Sequence, residues 1–260
     1  MTRIAICLAG QIRTGIDASA SLLKYIGDLL PQCDFFIHTW DVDSYSSPGF
    51  SCKRFDDLGI GPYHLMPVEF ETYDEFNKIF KPKMSMFGNF KQWEEMDFKP
   101  SHDPHLYSVR QVNTFKSLYE KEHNFKYDVV VRTRSDLIYD PKKSLKDDIE
   151  QLEHSDRTFC YAQCFDATVF ANKIDNAFWL GSSYVMDQLS NFELIRGNVH
   201  PDFGQVDGFM HFGNWVTLGL GFHVKKLKNS RTAVYREFHK DLEKDPIKDF
   251  EFIFKKMSRE

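Results

Sequence analysis

Nowhere does the chain approach the roughly 20 consecutive apolar residues that a bilayer-spanning helix requires. The apolar run in the N-terminal stretch "MTRIAICLAGQIRTG" is interrupted by Gly10, Gln11 and Arg13 after about half a dozen residues, too few for the core of a signal peptide. The expected location is therefore the cytoplasm. Cysteine is scarce, five residues in odd number and scattered, which suits reduced thiols better than a disulfide framework. Cys160 and Cys164, in "FCYAQC", have the wrong spacing for a zinc knuckle and read as buried strand residues. Positive charge is not in surplus. A net charge of -5 argues against nucleic acid as the main partner, because phosphate-backbone binding needs a basic surface. Internal repeats and low-complexity segments are absent as well.

What is present is a soluble globular composition, 42% hydrophobic and 27% charged over 260 residues, enough for one large core. "RIAICLAG" reads as a strand, "DASASLLKYIGDLLP" as a helix with Leu22, Leu23, Ile26, Leu29 and Leu30 at helical spacing, and "CDFFIHTWDV" as a second strand. That is the β-α-β opening of an α/β protein. A loop rich in Ser, Gly and Pro follows, then a strand and short helix in "MPVEFETYDEFNKIF". From Lys81 to Pro104 there is little period, so a long loop is expected there, of the kind that often serves as a lid. Val109, Val112, Phe115 and Leu118 restore helical period. After Asp140 the pattern gives a charged helix, a strand in "RTFCYAQ", the segment "DNAFWLGSSYVMDQLSNFELI", a helix-like "DGFMHFGNWVTLGL" and a strand in "FHVKKLKN". The tail places Phe250, Ile253, Phe254 and Met257 on one face of an amphipathic helix.

The most informative stretch is "YDVVVRTRSDLIYD". Three valines between turn signals are what a strand buried on both faces of a parallel sheet requires. Arg132, Arg134 and Asp136 stand at its carboxyl end, where open α/β sheets bind ligands. If the strand continues, alternation puts all three on one face, about 7 Å between successive members. Such a cluster suits an anion that carries a divalent metal, a nucleoside diphosphate for example; the competing reading is an Arg-Asp salt bridge closing the sheet. The end of the first strand, "LAGQIRTG", also opens into glycine and a cation. Gly10 permits close approach of the backbone, and Arg13 supplies a planar donor fork for phosphate. The lysine of a P-loop and the three glycines of a dinucleotide fingerprint are missing, which counts against kinases and NAD enzymes.

In order and spacing, "CLAGQIRT", "FFIHTWD", "KYD", "VVVRTRSDL" and "DNAFWLGSSYVMD" resemble soluble nucleotide-sugar glycosyltransferases of the GT-A fold, nearest to those of bacteria, phages and large DNA viruses. The resemblance spans roughly Arg3 to Arg236. It implies a single domain over 1–260 with a central mixed, mostly parallel sheet flanked by helices, residues 1–140 binding the donor and 141–260 the glycan acceptor. It carries donor contacts over to Ala9, Gly10, Gln11 and Arg13, to Thr39 and Trp40, and to Arg132, Arg134 and Ser135. Asp41 is an additional candidate for a place near the ribose or base. The family's Asp-x-Asp element holds Mn2+ or Mg2+; here Asp136 matches its second member and Arg134 replaces the first. Metal held through Asp136 is the favoured expectation, and neutralisation of the diphosphate by Arg132 and Arg134 themselves is the alternative.

The function implied is transfer of a sugar from a UDP- or GDP-linked donor to a glycan hydroxyl. Negative charge builds on the departing diphosphate, so fixed positive charge there is the largest catalytic effect expected. Asn113 and Lys116, one turn apart on the helix before the valine strand, are candidate phosphate or sugar contacts. An inverting enzyme also needs a carboxylate base. Asp207, at a helix start in "GQVDGFMHFGNW", and Asp175 are the candidates, an N-cap being the other reading of Asp207. Trp179, with Phe178, and His211 are candidate acceptor contacts, and His211 and His223 candidate additions to a metal shell. The alternatives are an inactive glycan- or nucleotide-binding module of the same fold, and a sugar-phosphate nucleotidyltransferase, whose lysine-bearing glycine-rich loop is absent here.

Overall fold

The first strand, β1 (Ile4–Ala9), is buried along its whole length, and its alternation divides the interior in two. Ile4, Ile6 and Leu8 enter one apolar cluster, while Ala5, Cys7 and Ala9 enter the other. The sheet therefore has helices on both faces. The computed structural model that gives this arrangement describes residues 2–45, 64–96, 104–152, 157–163, 177–191, 221–234 and 250.

β1 pairs in parallel with β2 (Cys33–Trp40) on one side and β6 (Val129–Thr133) on the other. β5 (Met84–Gly88) adds a parallel edge beside β2. On the far side of β6 comes β9 (Phe178–Gly181), antiparallel, then β8 (Thr158–Gln163), antiparallel to β9 and hence parallel to β6. β10 (His223–Val234) runs parallel to β8, and β7 (Leu137–Tyr139) pairs antiparallel with its end. The result is an α/β fold with a mixed, mostly parallel eight-stranded sheet in the order β5-β2-β1-β6-β9-β8-β10-β7. A separate two-stranded antiparallel pair joins β3 (Val42–Tyr45) to β4 (His64–Pro67).

Against the face of Ile4, Ile6 and Leu8 pack α1 (Gly15–Ile26), α2 (Phe70–Phe80) and Leu145 of α5 (Leu145–Ile149). The other face takes Val109 and Val112 of α4 (Pro104–Glu122) and Val185, Met186 and Leu189 of α6 (Ser183–Leu189). Each buried aliphatic side chain contributes about 1.5–3 kcal/mol, so the two clusters account for the sheet's central placement. Cys160 is buried in β8 as expected, and Cys164 lies outside the described residues.

Two expectations need correction. The stretch from Lys81 is not a featureless loop: it contributes the edge strand β5 and the short helix α3 (Phe90–Glu94), whose Asn89 side chain caps Gln92 N–H. Its residues are half-exposed at a sheet edge, which weakens the alternation that marks a strand. The valine strand also does not continue through Asp136. β6 stops at Thr133, residues 134–136 turn, and β7 leaves for another neighbour. Arg132, Arg134 and Asp136 are thus not a row along one strand. The helix expected in "DGFMHFGNWVTLGL" and, apart from a buried Phe250, the tail helix lie outside the described residues.

Candidate active site

Because β2, β1 and β6 are parallel and adjacent, their carboxyl ends open side by side, the position where open α/β sheets accept ligands. Ala9 closes β1 inside the core. Gly10 then adopts φ +118, a conformation that L side chains rarely take, and donates its N–H to His38 O at 3.1 Å. A Cβ at Gly10 would meet His105 Nδ1 at 3.6 Å, so the loop runs directly beneath the first turn of α4. Gln11 O accepts the Ser135 hydroxyl at 2.6 Å, which ties the β1 loop to the turn after β6. Gly15 opens α1 against that same turn, where an added Cβ would lie 3.0 Å from Ser135 Cβ. The first turns of two helices, α1 and α4, therefore border the loop, each presenting the positive end of its dipole.

Arg13 sits in this loop with φ +47, a strained conformation for a residue with a Cβ. Asp43 accepts its backbone N–H at 2.9 Å and braces it. The Arg13 guanidinium reaches Asp136 Oδ2 at 3.0 Å. Arg134 grips the same carboxylate with a fork, Nε to Oδ1 at 2.8 Å and Nη2 to Oδ2 at 2.6 Å. Asp136 is only 1% exposed, whereas Arg13 and Arg134 are 16% and 21% exposed, so solvent meets guanidinium before carboxylate. The Arg-Asp pair allowed by the sequence does form, but inside the site and with two arginines on one aspartate.

Arg132 belongs to the α4 face of the sheet. Its guanidinium lies 4.5 Å over the Trp179 ring and donates to His105 Nε2. That bond fixes the imidazole with its proton on Nδ1. Burial, reinforced by Arg132 and Arg134, holds the His105 pKa well below the ordinary histidine value, so the ring is neutral. Burial also lowers the Arg13 pKa, against the opposing pull of Asp136. Among the described residues, Arg13 and Arg134 share the Asp136 carboxylate, Asp43 holds the Arg13 backbone, and Arg132 is paired with the neutral His105. An arrangement of this kind is stabilised by an incoming anion.

The remaining expected contacts divide. Thr39 and Trp40 end β2 and are buried; Trp40 packs with Phe90, Trp93 and Tyr107 into an aromatic wall beside the site, with ring centroids 5.4–5.7 Å from its own. Asp41 accepts Phe90 N–H at 2.8 Å and holds α3 in place. The donor role expected of Asn113 and Lys116 does not suit their surroundings. Lys116 is fully buried and bonded to Glu120, Ser183 and Asp187, while Asn113 donates to Asp187 at 3.0 Å. Lys116 lies eleven residues beyond His105, about 16 Å along the helix axis. Trp179, 2% exposed between Arg132 and Phe159, offers no ring face to an acceptor, and Phe178 is buried on the opposite side. His223 starts β10 at the amino end of strands parallel to β6, the far end of the sheet from Asp136. Asp175, Asp207 and His211 lie outside the described residues.

Asp43 and His105 were not singled out from sequence. Asp43 is two residues past Asp41 in "WDVD", and His105 follows Pro104 at a helix start, but each acquires its role only through a partner distant along the chain.

Among the described residues, the donor set around Asp136 does not fit a divalent cation. Magnesium and manganese require several oxygen ligands, and here both carboxylate oxygens already accept from guanidiniums. Two unit charges 4 Å apart interact by about 4 kcal/mol near a protein surface, and a divalent ion doubles that repulsion with each arginine. No group of three His, Cys, Asp or Glu side chains among the described residues is arranged to hold a metal ion.

Among the described residues no helix is long and apolar enough to cross a membrane. No family model and no curated protein sequence matches the chain. Two solved structures of the glycosyltransferase GlyE from Streptococcus pneumoniae TIGR4, one of them the apo form, are similar at 12% identity and a TM-score of 0.41. They cover 86% and 88% of this chain, which spans less than half of their length, 45% and 46%. A likeness at that level specifies neither donor nor acceptor.

Proposed function

We propose that the protein is a glycosyltransferase of the GT-A type that moves a sugar from a UDP- or GDP-linked donor to a hydroxyl of a glycan. The observation that carries this reading is the convergence of Arg13 and Arg134 on Asp136, beside the first turns of α1 and α4, at the carboxyl ends of β1 and β6. A diphosphate matches that site in charge and in its demand for planar, bidentate donors. Trp40 and its aromatic neighbours would wall the nucleotide side.

In the transfer, the bond from the anomeric carbon to the diphosphate oxygen breaks and its electron pair leaves with the diphosphate. A bond to the acceptor oxygen forms, and the hydroxyl proton passes to a carboxylate, for which Asp207 and Asp175 are the candidates in this sequence. Guanidiniums fixed before the reaction stabilise the charge gathering on the leaving group without reorganising, which is where most of the rate enhancement would arise.

The test is a panel of nucleotide sugars screened for slow hydrolysis, with Arg13→Ala for comparison. The expected result is consumption of a UDP- or GDP-linked sugar by the native protein and a fall of about a hundredfold in the variant. Saturable binding of a glycan with no turnover of any donor would favour a binding module instead.

A further inference from the structure

Asp136 is the residue on which the metal expectation rested, and its surroundings assign it another task. Among the described residues its two oxygens accept from Arg13 and, as a fork, from Arg134. The two arginines reach it from separate loops, one after β1 and one after β6, and the Ser135 hydroxyl ties those loops together through Gln11 O. The carboxylate lies beneath the guanidiniums, with Arg13 and Arg134 on the solvent side. A fork gripped from below keeps its plane and its outward edge fixed, which is what bidentate recognition of phosphate oxygens requires.

We infer that Asp136 is a positioning residue that orients Arg13 and Arg134 toward a diphosphate, and that these two guanidiniums neutralise the departing diphosphate without a divalent metal. The inference rests on the reading of the site as a diphosphate receptor. It replaces Lewis-acid assistance with fixed organic cations. The step itself is unchanged: the leaving diphosphate takes the electron pair of the anomeric C–O bond and gains one negative charge, which the Arg13 and Arg134 guanidiniums face, and no oxidant or reductant takes part.

The experiment is a calorimetric titration of the full chain with pyrophosphate, UDP and GDP, once in excess EDTA and once in excess Mn2+, on the native protein, Asp136→Asn and Arg134→Lys. The expected native affinity in EDTA is within about twofold of that in Mn2+. Asp136→Asn removes a negative charge but also loosens the forks, so it should still bind pyrophosphate in EDTA, within about tenfold of the native protein, while donor hydrolysis falls about tenfold or more because the forks lose their orientation. Arg134→Lys should weaken pyrophosphate binding about tenfold, the effect of losing one charge-assisted hydrogen bond. Native binding that appears only with Mn2+ and disappears in Asp136→Asn would make the residue a metal ligand and overturn the inference. Absence of binding by all three ligands in both buffers would overturn the diphosphate reading itself, a different outcome. The EDTA comparison on the native protein needs no variant to fold, and thermal melts confirm folding of the two that are made.

Discussion

Lys116 Nζ lies 2.9 Å from Asp187 Oδ1, joining α4 to α6 across an interface where neither residue meets a strand end. The same ammonium bonds Ser183 at 2.6 Å and Glu120 at 3.2 Å, and Lys126 closes the group from outside at 2.8 Å from Glu120. Removing Lys116 leaves the buried Glu120 carboxylate short of a compensating charge.

Lys116→Met keeps the length and loses the charge, leaving Glu120 with Lys126 alone and Asp187 short of its nearest cation. The expected loss of stability is about 3 kcal/mol, read as a lower urea midpoint at pH 7. Burial works against ionisation of Glu120, yet the hydrogen bonds from Lys126, Ser183 and Tyr127 N–H and the charge of Lys116 hold its pKa below the usual carboxylate value. Asp187 is lowered too, with burial again opposed by Lys116. Depressed carboxylates stabilise above their unfolded pKa and lose that contribution as pH falls through the folded value. Below about pH 4 the native protein should therefore lose stability more steeply than Lys116→Met.

A separate pH effect belongs to His38. Burial lowers its pKa to about 3, and its Nδ1 pairs with the Ser108 hydroxyl at 3.1 Å. The unfolded chain takes up this proton near pH 6.5, whereas the folded protein refuses it until about pH 3, so the contribution is complete above pH 6.5 and is lost as pH falls. One such histidine gives a slope of up to about 1.4 kcal/mol per pH unit. Unfolding free energies measured from pH 7 to pH 5, where carboxylates are still ionised, should slope less in His38→Gln. An unchanged slope would assign the effect to His105, whose pKa is also held low.

How much of this was legible in the sequence depended on whether the determining contacts were local. The valines of β6 announced burial on both faces, and Val129 and Val131 do enter one cluster and Val130 the other. The grouping of Arg13 with Arg134 and Asp136 followed from strand ends that parallel pairing brings together. What was not legible is where β6 stops, because the turn at Arg134 to Asp136 is fixed by the Ser135 bond to Gln11 and by the arginines' grip. The surroundings of Lys116 were not legible for the same reason. Its position one turn from Asn113 suggested a ligand, while its principal partner lies 71 residues away on α6.

Gly88 ends β5 with Trp40 and His38 packed over it. A Cβ there would lie 3.0 Å from Trp40 Cε3 and 3.1 Å from His38 Nε2, both buried and backed by Tyr107. Gly88→Ala should cost about 1–3 kcal/mol by overpacking. Because Trp40 walls the proposed nucleotide side, its displacement should also change tryptophan emission and weaken UDP or GDP binding, measured together in one titration. Unaltered binding with the full stability loss would separate the aromatic wall from the donor site.

Asp43 offers the sharpest distinction between holding the site's shape and supplying its charge. It accepts Arg13 N–H at 2.9 Å and keeps that residue at φ +47, a conformation it would otherwise leave. Asp43→Ala frees the loop and also removes one negative charge. If charge alone governed the site, pyrophosphate would bind more tightly. If Arg13 must be preset, affinity falls even though the site has become more positive, because ordering the loop is then subtracted from binding. We expect the second outcome, a loss of about tenfold in pyrophosphate affinity. Repeating the titration at higher salt checks it, since the loss should persist when screening weakens the remaining attraction in both proteins.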